Sequence, residues 1–102
     1  MNPERRRAPR QRVSLGTYLE SGPERHGAVI VNLSPKGCFV LTQQELQVGA
    51  AVKIELGKPG LLHMTLEGAV VHHSRGRGVG VRFKDLTVTQ QALLMKLTQN
   101  IK

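Results

Sequence analysis

The 102 residues are 39% hydrophobic, which supplies one small core and excludes a second. The formal net charge of +8 is uneven: residues 1 to 12 hold five arginines and one glutamate, whereas the rest, with ten Lys or Arg and six acids, is only mildly basic. That distribution indicates a local anion site or a solvated basic tail, and argues against a whole-surface nucleic-acid coat. Cys38 is the single cysteine, so an intramolecular disulfide and a cysteine-based metal centre are excluded, and no apolar run approaches the roughly 20 residues that span a bilayer. The expectation is a soluble cytoplasmic protein with no membrane partner.

Residues 1 to 12 lack hydrophobic periodicity, and Pro9 disfavours helix at Ala8, so this segment is expected to be a flexible arginine-rich arm. A barrel domain is expected over 13 to 102. Val13, Leu15, Thr17 and Leu19 alternate with Ser14, Gly16 and Tyr18 in a first strand that ends at Ser21-Gly22-Pro23. Ala28 to Asn32 forms a second, and Pro35-Lys36-Gly37 reverses the chain into a third, Cys38 to Leu41. Gln47-Val48-Gly49 is a turn before a strand at Val52 to Leu56. Leu62 to His72 gives one long strand bent at Gly68, and Ser74 to Gly78 is a loop before the last strand, Val79 to Phe83.

Beyond Asp85 the period lengthens. Leu94, Leu97 and Ile101 recur at helical spacing, which predicts a terminal helix over about 87–101, capped at Thr87 or Thr89. Six strands within about seventy residues indicate a mainly β protein, a small antiparallel barrel followed by an α-helix.

All five basic residues between positions 5 and 12 are arginine. A planar guanidinium can grip phosphate, pair with the O6 and N7 edge of guanine, or stack on its ring, whereas lysine does only the first well. In Asn32-Leu33-Ser34, alternation sends the two polar side chains to one face and Leu33 to the other. Gly37 is expected to supply the backbone freedom of a tight turn and to allow close approach. The histidines, His26, His63, His72 and His73, lack metal-ligand spacing, and His72 and His73 are expected on opposite strand faces. Cys38, beside Phe39, is expected to be a packed thiol, and Phe39 and Phe83 to be buried. Nothing in the spacing of acids, Ser34 or histidines forms a catalytic constellation, so no cofactor and no enzyme activity are expected.

Together, Arg6 to Arg10 and Asn32 to Gly37 resemble the PilZ domain signature, Arg-x-x-x-Arg followed some twenty or more residues later by Asp/Asn-x-Ser-x-x-Gly. The apolar strand before Asn32, Cys38-Phe39-Val40, and Gly78 to Phe83 followed by a short helix are similar to the same family, so the resemblance covers essentially the whole chain. It implies a six-stranded barrel that binds cyclic di-GMP, two guanosines joined through two phosphates. By that resemblance Arg6 and Arg10 hold guanine and phosphate, Arg5 and Arg7 add contacts, Asn32 and Ser34 bond a guanine edge, and Gly37 shapes the turn. Position 32 is Asn where many members carry Asp. His72 stands where some place Trp, and it is included as a base-stacking contact.

The resemblance also implies an unidentified effector protein as partner, in motility, exopolysaccharide or biofilm control. Fixing a flexible arm costs on the order of 1 to 2 kcal/mol per residue, so an arm ordered by ligand can act as a switch. Two other readings of the residues are a nucleic-acid-binding small barrel, which the scarcity of aromatics opposes, and a PilZ-like adaptor that binds no nucleotide.

Overall fold

The computed structural model describes residues 11–57 and 63–100. Six antiparallel strands form a closed barrel in the order β1-β2-β3-β6-β5-β4, followed by one helix. The elements are β1 (Gln11–Ser21), β2 (Glu24–Ser34), β3 (Gly37–Leu41), β4 (Ala51–Gly57), β5 (His63–Ser74), β6 (Gly78–Phe83) and α1 (Val88–Asn100).

The predicted strands are all present, with different ends. β1 begins at Gln11, two residues inside the segment assigned to the arm, and β2 begins at Glu24 instead of Ala28. Glu24 to Gly27 carry no apolar signal; they are strand because they pair, Ser21 to Tyr18, with the opposing arm of a tight hairpin. That hairpin turns at Gly22-Pro23, with Gly22 in the left-handed region at φ 61°. Residues 1–10, and with them Arg5, Arg6, Arg7 and Arg10, lie outside the described residues.

The core is aliphatic. Leu33, Cys38, Val81 and Val70 are successive partners across β2, β3, β6 and β5, and all are at most 1% exposed. Gly68 is the corner of the barrel, pairing with Val52 of β4 and with Phe83 of β6. The seam between β1 and β4 is short, Leu19 opposite Ile54 and Glu20 opposite Lys53 among the described residues. Side chains reinforce it. The Thr17 hydroxyl donates to the Glu55 carbonyl. Arg25 lies over the Tyr18 ring, 4.0 Å from its centroid, and reaches Glu55 at 2.7 Å and Glu20 at 3.4 Å.

Helix α1 closes one end of the barrel. Leu94 is fully buried and Leu93 and Leu97 pack beside it, as the spacing predicts; burying a leucine contributes about 1.5–3 kcal/mol. Ile101 lies outside the described residues. Thr87 is the cap. Its hydroxyl accepts from Gln90 N at 3.0 Å while Gln90 Oε1 accepts from Thr87 N at 3.1 Å, a reciprocal capping box. The same amide donates to the Thr65 carbonyl, which ties the helix to β5. Thr87→Ala should lower stability by about 1 kcal/mol in urea denaturation, with the barrel intact.

Candidate functional site

Strict alternation from the buried Ile30 would place Asn32 and Ser34 on the core side of β2. An extra residue prevents this. Ile30 pairs with Val40 and Asn32 with Phe39, so Val31 is a β-bulge, after which Leu33 faces the core and Asn32 faces out. β5 repeats the device. Val70 pairs with Val81 and His72 with Gly80, so the bulged Val71 turns His72 outward and leaves His73 opposite the buried Val79. The two histidines therefore take opposite faces, as alternation predicts.

The outcome is one lateral row on the outer surface. Arg12, Asn32, Phe39, Gly80 and His72 are successive partners across β1, β2, β3, β6 and β5. Directly paired residues share a face, so these side chains stand side by side. Arg12 and His72 are exposed; Asn32 and Phe39 are half-buried. Gly80 is the gap between the two rings: a Cβ there would lie 3.3 Å from His72 Cβ and 3.9 Å from Phe39 Cδ1. The guanidinium of Arg77, from the turn between β5 and β6, sits 5.5 Å from the centroid of Phe39.

Phe39 corrects the expectation that it is buried. Cys38 and Val40, fully buried on either side of it, leave the intervening side chain only the outer face. Phe39, Arg77 and Arg12 lie outside the signature motifs, and of the three only Phe39 can be found from the alternation of its strand.

Ser34 takes a position that simple alternation does not describe. It is 3% exposed, and its hydroxyl accepts from Lys36 N at 3.1 Å and Gly37 N at 3.2 Å, with Gly37 O at 3.4 Å to receive its proton. One hydroxyl offers two lone pairs and one hydrogen, so this capacity is committed to the turn. Ser34→Ala should cost about 1–3 kcal/mol in thermal or urea unfolding, because two backbone donors lose their acceptor.

Gly37 is required for close approach and not for the backbone freedom of a turn. Its φ is not in the left-handed region; instead, a Cβ at Gly37 would lie 2.2 Å from the Val81 carbonyl oxygen. The close approach is by the neighbouring strand.

Among the described residues no group of His, Cys, Asp or Glu could hold a metal ion, and no helix is long and apolar enough to cross a membrane. A cavity of about 740 Å³, lined by Ser21, Glu24, His26, Thr42 and Glu45 among others, is at the other end of β2. Its two carboxylates make it a poor host for an anion, and volume is the weaker guide here.

The sequence profile of the PilZ domain matches residues 4–100, and the chain belongs to the PilZ domain family. No curated protein matches it in sequence. Among solved structures it is similar to the Bacillus subtilis inhibitor of motility, MotI/DgrA, at 16% identity and TM-score 0.77, over 93% of this chain and 49% of that one. The chain thus spans about half of that protein's length. It is also similar to the PilZ domain of CeSA from a cellulose-synthesizing bacterium, at 18% identity and TM-score 0.70, over 89% of this chain and 95% of that one. The PilZ domain of YcgR from Escherichia coli, solved with c-di-GMP, aligns at 17% identity and TM-score 0.74, over 95% of this chain and 91% of that one. At these identities the likeness concerns the fold.

Proposed function

We propose that the chain is a cyclic di-GMP receptor, not an enzyme, that works in the cytoplasm and passes its ligand state to an effector protein. The observation that carries this reading is the start of the β1–β2 ladder, where Gln11 pairs with Leu33 and Arg12 with Asn32. The residue that follows Arg10 in the chain thus enters the sheet opposite the Asn-x-Ser segment. Gln11 and Arg12, which follow the first half of the signature in sequence, thus pair with residues of the second half.

In this reading Arg6 and Arg10, with Arg5 and Arg7, supply guanidinium forks to phosphates and guanine edges. Asn32 offers an amide to a base edge, while Ser34 and Gly37 fix the turn that positions it. His72, and the ring of Phe39 beneath Arg77, offer planar surfaces on which a purine can stack, a contact worth about 1–3 kcal/mol per base. The YcgR domain solved with c-di-GMP supports the assignment by fold.

Adding cyclic di-GMP to isotope-labelled protein should move the amide resonances of Arg12, Asn32, Phe39, Gly80 and His72, and leave Glu24 and Glu45 at the other end in place. Shifts confined to the Glu24–Glu45 cavity would put the ligand elsewhere and defeat this reading.

A further inference from the structure

A second groove lies where the Ser34–Gly37 turn, the end of β6 and helix α1 meet. It has a volume of about 390 Å³ and is lined by Pro35, Lys36, Arg82, Phe83, Lys84 and Met95, among others. Its character is mixed. Phe83 is 8% exposed and gives an apolar floor, and Met95, half exposed on the helix, adds a flexible thioether of the kind that adapts to varied partners. Lys36, Arg82 and Lys84 are exposed on the rim, and none of them enters an ion pair among the described residues. Asp85 is the one acid in the lining, with its backbone left-handed at φ 56° where the chain turns from β6 toward α1.

We propose that this groove docks an acidic, amphipathic segment of the effector protein, with one or two apolar side chains against Phe83 and Met95 and carboxylates facing Lys36, Arg82 and Lys84. Charge selects this occupant over the others. A second copy of this basic chain would bring like charge to like, and so would the arginine arm.

The groove is joined to the signature turn by hydrogen bonds on both sides of Lys36. Its N–H donates to Ser34 Oγ at 3.1 Å, and its carbonyl accepts from Phe83 N at 2.9 Å. A ligand that shifts the Asn32–Gly37 segment therefore shifts one wall of the groove, and by linkage an occupied groove shifts ligand affinity by the same factor. This coupling, though not the docking itself, rests on the cyclic di-GMP reading.

The test is a titration of the labelled full chain with a synthetic twelve-residue amphipathic peptide, leucine on one helical face and glutamate on the other, beside a matched peptide with lysine in place of glutamate. Expected are saturable shifts at Lys36, Arg82, Phe83, Lys84 and Met95 with the acidic peptide only, weakened at least about tenfold in the Lys36→Glu, Lys84→Glu double variant and by added salt. Those two side chains are exposed, and the variant's thermal midpoint checks its folding. No saturable shift, equal binding of the lysine peptide, or an unweakened double variant would overturn the proposal. So would cyclic di-GMP competing for the same five residues, since the groove would then belong to the nucleotide. A protein that binds the acidic peptide but shows no response to cyclic di-GMP would defeat the receptor reading and leave the groove standing.

Discussion

Gly37→Ala should destabilise the barrel by about 2–4 kcal/mol, although it adds one methyl group. The methyl carbon would lie 2.2 Å from the carbonyl oxygen of Val81 and 3.3 Å from Arg82 Cα, both backbone atoms that no rotamer change can move aside. Relief requires β3 and β6 to separate at the Gly37–Arg82 pair, which also loosens Phe83 N from the Lys36 carbonyl. For a domain of this size each kcal/mol moves the melting midpoint by about 4–8 °C, so calorimetric melting should detect the change easily. Gly78→Ala is the matched comparison. Its Cβ would meet the Val40 carbonyl at 1.9 Å at the other end of the same strand pair. Both variants should lose stability, and only Gly37→Ala should also disturb the turn that carries Ser34. A midpoint within 2 °C of wild type for Gly37→Ala would show that the strands yield there at little cost.

The largest effect on binding is expected from Arg10→Ala. A hydrogen bond to a charged group contributes about 1.5–3 kcal/mol. Losing one or more such bonds to a phosphate or guanine edge should weaken cyclic di-GMP binding by about 10- to 100-fold. Arg10→Lys separates charge from geometry, since lysine keeps the charge and loses the planar fork. It should recover only a small part of the affinity, as measured by calorimetric titration. Full recovery would mean that position 10 acts as a point charge and does not read a guanine edge.

Much of the barrel was legible because its signals are local. Alternation located every strand, glycine-bearing turns separated them, and the shift to helical spacing after Asp85 marked α1 and narrowed its cap to Thr87 or Thr89. What could not be read depends on pairing. The polar first half of β2 is strand only because the hairpin places it beside β1. The bulges at Val31 and Val71 are fixed by register with β3 and β6, and they alone decide that Asn32 and His72 face outward. The Ile30–Leu33 spacing, two core residues an odd number apart, was the one visible trace of the first bulge. Gly37 has a related history. A glycine after Pro-Lys points to a turn conformation, but its necessity comes from β6, more than forty residues further along the chain.

The site was legible as residue types in order. Its spatial logic was not, because the row from Arg12 through Asn32, Phe39 and Gly80 to His72 draws on five strands. Ser34 illustrates the difference. As a motif serine it stands for a ligand contact, whereas the structure shows its hydroxyl bonded to the Lys36 and Gly37 amides, a pairing that exists only once the turn has folded.

In the proposed receptor the arginine segment and the Asn32–Gly37 turn form one binding unit for cyclic di-GMP. Isothermal titration of the full chain and of the Arg6→Ala, Arg10→Ala double variant tests it most directly. Expected are saturable binding by the wild type that weakens with added salt, and loss of measurable binding in a double variant whose melting is unchanged. No saturable heat from the wild type, or equal affinity in the double variant, would contradict it.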